Sequence, residues 1–233
     1  FWLGAMYADG RGVAKDDVEA VKWYLKAAEK GNAYAQFWLG AMYVEGRGVA
    51  KDEIEGLKWI HKAVDQGNAE AQVGLGRLYA DGRGVEKNDV EAAKWFRKAA
   101  DQGDPKAQFW LGVMHAEGRG VAKDDVEAVK WFRKAAEQRL AEAQVGLGRL
   151  YTEGRGVAKN DVEAVKWFRK AVDQGNAKAQ YWLRWLYTEG RGVAKDDVEA
   201  VKWFRKAADQ EEANAQFWLG WMYESGRGVE KND

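Results

Sequence analysis

Two histidines, His61 and His115, are the side chains best suited to proton transfer or metal ligation near neutral pH. Neither belongs to an H-E-x-x-H or comparable metal spacing, and the chain has no cysteine, so thiol chemistry and a disulfide framework are both excluded. Hydroxyl nucleophiles are equally scarce: Ser225 is the one serine, and Thr152 and Thr188 are the two threonines. A catalytic constellation needs unlike groups converging on one point. The carboxylates here instead recur at even intervals along solvated helix faces and helix starts. A recurring Gly-Arg-Gly turn could cradle a phosphate, because such turns expose N–H groups near a helix start. The next helix, however, opens on Asp or Asn followed by further acids, which repel an anion. These residues predict no enzyme, no metal site and no cofactor. What remains is recognition by Trp and Arg, and that depends on how the chain positions them.

The positioning elements are repeats. The block F-W-L-G or a variant of it starts at Phe1, Phe37, Val73, Phe109, Val145, Tyr181 and Phe217, every interval being 36 residues. The expected organisation is one array with units 1–36, 37–72, 73–108, 109–144, 145–180 and 181–216 and a partial unit 217–233. Each unit reads as two helices. In the second, helix A runs from Ala33 to Glu45 behind an Asn32 N-cap, and Gly31 closes the preceding helix. Asp104-Pro105 fills the equivalent slots further on. After the turn Gly46-Arg47-Gly48, helix B runs from Asp52 to about Gln66. Asp52 with Glu55 is an acidic variant of the capping box, repeated at Asn88/Glu91 and Asp124/Glu127. On helix B, Ala128, Trp131, Phe132, Ala135 and Ala136 share one apolar face, and the Trp of every helix B is expected in the core. A two-helix unit cannot bury such a face alone, so neighbouring units must stack. His115 stands where the other six units have Tyr and reads as a structural replacement near the end of helix A; His61 stands where they have Leu or Arg and reads as a solvated surface residue. Three irregularities put local geometry in question: Arg139-Leu140 and Glu211-Glu212 replace the glycine-containing junction, Arg184 replaces a helix A glycine, and Gly56 lies inside a helix. Asp or Asn alternates at the start of helix B, as far as Asn232, which suggests growth by duplicated pairs of units.

On helix A, Ala35, Leu39 and Met42 must face helix B. A second stripe is offset from them and changes from unit to unit. It carries Tyr34 and Trp38, then Glu70, Gly74 and Arg77, then Lys106 and Trp110. It continues through Gly146 and Arg149 to Lys178, Trp182 and Trp185, and ends on Trp218 and Trp221, with Tyr181 alongside. Positions that accept Trp, Arg, Val and Ala cannot all fill one packing site. Trp and Arg supply large contact areas and directional hydrogen bonds. Trp38, Trp110, Trp182 and Trp218 could alternatively pack between successive A helices.

The recurring unit L-G-x-M-Y-x-x-G-R-G-V-x-K-D-x-x-E-A-x-K-W-F-x-K-A-A-x-x-G resembles the Sel-1-like repeat family, relatives of tetratricopeptide repeats, along the whole chain. That resemblance implies an all-α fold, an α/α solenoid wound as a right-handed superhelix, and a bacterial source. It also implies an adaptor or scaffold that holds a protein or peptide partner in a concave groove lined by helix A. A carbohydrate-binding solenoid and a consensus-like scaffold without a natural ligand stay open as alternatives. A disulfide-rich branch linked to β-lactam binding is a poor match for a chain without cysteine.

Lys plus Arg and Asp plus Glu each total 37, so no basic excess exists to neutralise a phosphate backbone, and nucleic acid is not the expected partner. Apolar runs of only a few residues predict no membrane insertion. The chain starts in mid-helix and stops where a helix should begin, so it reads as a segment of a longer array. Its localisation and oligomeric state are not legible.

Overall fold

A computed structural model describes residues 1–209 and 213–228; Glu211, Glu212 and Asn232 lie outside them. Among the described residues there are thirteen helices and no strand. The chain divides into two compact units, Phe1–Lys123 and Asp124–Asp233. In the first unit the A helices are α1 (Trp2–Asp9), α3 (Ala33–Glu45), α5 (Ala69–Asp81) and α7 (Pro105–Glu117), and the B helices are α2 (Asp17–Ala28), α4 (Glu53–Asp65) and α6 (Asp89–Asp101). In the second, the B helices are α8 (Asp125–Glu137), α10 (Asp161–Val172) and α12 (Asp197–Ala208), alternating with the A helices α9 (Ala141–Glu153), α11 (Ala177–Glu189) and α13 (Ala213–Ser225). The fold is an all-α repeat solenoid.

Capping chemistry fixes these boundaries. Asn32, Asn68 and Asp104 accept the backbone N–H three residues on, each at 2.8 Å, and Gly46 closes α3 with φ 70°. At helix B only half of the expected capping box forms. Asp52 accepts from the Glu55 N–H at 2.9 Å, but the Glu55 carboxylate turns forward to Lys58 at 3.0 Å. The Asp52 N–H donates instead to the Tyr43 carbonyl of helix A, 2.9 Å away. Asn88 and Tyr79 repeat that bond at 2.9 Å, and Glu91 likewise pairs with Lys94. A tertiary acceptor has displaced the local one.

Five of the Gly-Arg-Gly turns clasp the repeat before them through an aspartate; at a sixth, Arg83 lies 4.0 Å from Glu53 and donates to the Val44 carbonyl at 3.1 Å. Arg47 Nη2 donates to Asp17 Oδ1 at 2.7 Å, and Arg119 reaches Asp89 at 2.8 Å. In the second unit Arg155 reaches Asp125 at 2.6 Å, Arg191 reaches Asp161 at 2.9 Å and Arg227 reaches Asp197 at 2.9 Å. Each aspartate is the first residue of a B helix. The second glycine of the turn makes this approach possible: Gly48 has φ 65°, and a Cβ there would collide with the Asp17 carbonyl. A glutamine rung adds a second link, from Gln66 to Gln36 at 2.7 Å and from Gln102 to Gln72 at 2.8 Å, with Gln174 to Gln144 at 2.9 Å in the second unit.

In the first unit the core holds Ala20, Tyr24, Leu39, Met42 and Ile60; in the second it holds Phe168, Leu183, Leu186, Phe204 and Met222. The tryptophans of helix B are less buried than the apolar pattern suggests. Trp131 is buried, but Trp23, Trp59, Trp95, Trp167 and Trp203 are half-buried, and the lysine three residues on lies over the ring. Lys62 Nζ, for example, is 3.9 Å from the Trp59 ring centroid.

The irregular positions keep the architecture. Arg139 adopts φ 66°, the left-handed geometry that Gly31, Gly67, Gly103 and Gly175 supply elsewhere, and it is alone among described non-glycine residues in doing so. Leu140 then starts α9 without a side-chain cap. Gly56 faces Gly40: a Cβ on Gly40 would lie 2.6 Å from the Gly56 carbonyl oxygen, and a Cβ on Gly56 2.6 Å from Val44 Cγ2. The equivalents of Val44 are Ala8, Ala80, Ala116, Thr152 and Thr188, and those of Gly56 are Ala20, Ala92, Ala128, Ala164 and Ala200. The larger residue on α3 is matched by the smaller one on α4.

Candidate functional site

The variable stripe lines a series of clefts between successive A helices. In the first unit, one cleft between α1 and α3 has a volume of about 220 Å³ and includes Trp2, Trp38 and Arg47. The next, between α3 and α5, is about 110 Å³ and includes Phe37, Gly74 and Arg77. Between α5 and α7 the cleft is about 90 Å³, with Arg77, Trp110 and Arg119 in its wall. In the second unit, the cleft between α11 and α13 is the widest of the four at about 360 Å³.

Aromatic packing explains why the stripe alternates. Trp110 stacks on Phe96 of the preceding B helix, with centroids 6.1 Å apart and planes at 15°; Trp182 stacks on Phe168 at 5.9 Å and 2°. These two rings therefore carry inter-repeat packing as well as lining the stripe. Where the stripe has Gly74 instead, the preceding Phe37 fills the space, and a Cβ on Gly74 would lie 2.5 Å from that ring. Trp38 and Trp218 are half-buried and meet Phe37 and Phe217 edge-on at 5.3 Å.

Trp185 and Trp221 occupy the stripe position held elsewhere by Ala41, Arg77, Val113 and Arg149. Trp221 is 37% exposed, and Phe217 beside it 67%. Trp185 lies edge-on to Trp182 at 5.9 Å, and Trp221 edge-on to Trp218 at 5.8 Å. The clasp arginines double as platforms: the Arg191 guanidinium is 4.3 Å from the Trp185 ring centroid, and that of Arg227 is 5.4 Å from Trp221. Arg77, Arg149, Lys106 and Lys178 are exposed, as is Tyr34 at 53%. Arg149 leans towards Glu153 at 3.6 Å and over the Trp182 ring at 5.8 Å. Tyr181 is half-buried and meets Trp182 edge-on at 6.1 Å.

The clasp role of the turn arginines is a functional feature that motif reading missed. Its signal is the 30-residue offset between the turn Arg and an earlier Asp at Arg47, Arg119, Arg155, Arg191 and Arg227; at Arg83 the residue 30 positions earlier is Glu53. The histidines have structural surroundings. His115 is buried with Nε2 3.3 Å from Arg97 Nη2, the place where Arg133 donates to the Tyr151 hydroxyl at 2.8 Å. His61 is half-buried. Among the described residues no group of three His, Asp or Glu side chains could hold a metal ion, and no helix is long and apolar enough to cross a membrane.

Arg184 is the outlier of the site. It is 5% exposed, with its guanidinium 4.6 Å from the Tyr181 ring, 4.5 Å from Phe204 and 5.3 Å from Trp218. Its Nε is buried without an acceptor, and burial pushes its pKa down from the ordinary guanidinium value.

The repeating helix pair, the paired turn glycines and the clasps define a repeat-solenoid protein. The chain belongs to the Sel1 repeat family, whose model matches residues 1–32, 33–68, 69–104, 105–140, 141–176, 177–212 and 213–233. Each full match opens at helix A, four residues before the F-W-L-G block. The crystal structure of c5321, a protective antigen of uropathogenic Escherichia coli with an SLR fold, is 38% identical over 99% of this chain and 50% of that one, with a TM-score of 0.83. A Sel1 repeat protein from Oxalobacter formigenes is 39% identical over 99% of this chain and 67% of that one, with a TM-score of 0.81. The immunity protein PA5088 of Pseudomonas aeruginosa is 25% identical over 84% of this chain and 74% of that one, with a TM-score of 0.58. The chain thus spans half the length of the first of these relatives. No curated protein sequence matches it. Sel1 repeat proteins are generally protein-interaction scaffolds.

Proposed function

We propose that this chain is a non-catalytic adaptor that holds a partner protein or an extended peptide against the variable stripe of its A helices. The observation that carries the reading is the pair Trp185 and Trp221 in the second unit. Both are large aromatics at a stripe position where the other repeats have Ala, Arg or Val, and each has an arginine against its ring. Partly exposed Trp beside Arg is the chemistry that dominates protein-binding hot spots. In the second unit Arg149 and Lys178 add charge to the stripe, and in the first unit the stripe carries Arg77 and Lys106 with the aromatic side chains Tyr34, Trp38 and Trp110.

The test is capture by immobilised wild-type chain and by the Trp185→Ala/Trp221→Ala variant, using bacterial lysate and quantitative mass spectrometry. The variant is expected to lose captured proteins at least about tenfold, the effect of removing one strong hot-spot side chain, while its helical circular dichroism is retained. Unchanged capture would remove the stripe from consideration. Glycan-array binding that quenches Trp fluorescence would replace the protein partner with a sugar.

A further inference from the structure

The α11–α13 cleft differs in chemistry from its three counterparts. Its wall includes Tyr181, Trp185, Phe204, Trp218 and Trp221, and it also holds Arg184, where the other helix A sequences have glycine. Glycine serves packing there in the neighbouring repeat: a Cβ on Gly148 would lie 2.8 Å from the Phe168 ring. At position 184 the chain gives up that close approach and places a guanidinium between helices.

The other two arginines of this region have carboxylate partners. Arg191 pairs with Asp161 and Arg227 with Asp197, both at 2.9 Å. Arg184 has no ion-pair partner among the described residues, although Glu189 lines the same cleft. Its immediate surroundings are three ring faces and the polar group of Tyr181. Ring faces attract a cation but accept no hydrogen bonds in the guanidinium plane, so its fork of N–H donors lacks the bidentate acceptor it matches best. Glu189 attracts this cation through space but makes no ion pair with it, and a ligand carboxylate would supply a partner in direct contact. The cleft is also large enough for an apolar side chain beside that carboxylate.

We infer that the α11–α13 cleft is a subsite for an acidic side chain of the partner peptide, seated next to an aromatic residue of the same peptide, with Arg184 as the anion-recognising group. This rests on the stripe being the partner-binding face, and it specifies the chemistry of one position on it. The carboxylate pairs with the guanidinium fork, while Trp185, Trp218 and Trp221 enclose the neighbouring ring and exclude water from the pair.

The test compares the blocked tripeptides N-acetyl-Phe-Glu-Phe-amide and N-acetyl-Phe-Gln-Phe-amide, which are nearly isosteric and differ in charge. Binding is read by Trp fluorescence and by the shift in melting temperature. The Glu peptide is expected to bind at least tenfold more tightly than the Gln peptide. Arg184→Gln and Arg184→Gly, the second restoring the residue of the other repeats, should both stay folded and bind the two peptides equally. Equal binding to the wild type, or discrimination that survives in both variants, overturns the inference. Tighter binding of N-acetyl-Phe-Gln-Phe with a free C-terminal carboxylate than of the Glu peptide also overturns it, since the occupant would be a chain terminus. If neither peptide binds, the subsite is rejected, while the stripe itself is judged separately by lysate capture with Trp185→Ala/Trp221→Ala.

Discussion

Arg139 shows what one residue costs in an otherwise consistent repeat. It holds φ 66° where four junctions use glycine, and its Cβ makes that conformation unfavourable by about 1 kcal/mol. Leu140 next to it leaves the start of α9 without the side-chain acceptor that Asn68 or Asp104 provides. Arg139→Gly should therefore raise stability by about 1 kcal/mol, and Leu140→Asn should contribute about 1 kcal/mol more, both read from denaturant midpoints at unchanged slope. A null result for both would mean that the junction relaxes in solution. This departure was visible in the sequence as a broken pattern, but its conformation was not: arginine could have forced a different turn, and only the retained geometry shows that the flanking helices impose it.

At the scale of the helix, α3 and α4 illustrate compensation across a contact. Val44 and Gly56 stand where three repeats have Ala/Ala and two have Thr/Ala, and a Cβ on Gly56 would meet both Val44 Cγ2 at 2.6 Å and the Gly40 carbonyl oxygen at 2.7 Å. Gly56→Ala alone should destabilise by about 1–3 kcal/mol through overpacking, against its favourable helix propensity. Val44→Ala/Gly56→Ala should recover part of that loss, because the close approach to the Gly40 carbonyl remains, giving a coupling of about 0.5–1 kcal/mol in a double-mutant cycle; additive effects would refute the contact. Helix boundaries were legible from the sequence because Asn, Asp and Gly act locally. The capping box was only half legible, because Glu55 prefers Lys58 and the Asp52 N–H finds the Tyr43 carbonyl, a tertiary partner that no local pattern announces. The candidate site was legible as a variable stripe. Whether Trp110 and Trp182 face a partner or a neighbour was not, because stacking on Phe96 and Phe168 depends on how successive repeats are offset.

For the molecule as a whole, two clasps of the first unit tie stability to pH. The hydrogen bond from Arg47 holds the Asp17 carboxyl below the ordinary aspartate range, and Arg119 does the same to Asp89. A carboxyl whose folded pKa is depressed contributes stability that is present above its unfolded pKa, about 3.9, and is lost as pH falls through the folded value. Thermal melts from pH 7 to 2.5 should show the decline below about pH 4, and Asp17→Asn/Asp89→Asn should start lower and flatten that acid limb. An unchanged acid limb would mean that the clasps are as strong in the unfolded chain.

The same clasps have a consequence for how the protein is made. Each one joins residues 30 positions apart, as in Arg47 to Asp17, so it needs no distant part of the chain. At a synthesis rate of about 5–20 residues per second, a turn arginine follows its aspartate by roughly 2–6 s. The nascent chain can therefore latch repeat by repeat as it leaves the ribosome, each latch burying the helix pair behind it before the next emerges. Such contacts of short sequence separation favour fast folding and shorten the time for which any apolar helix face is open to aggregation.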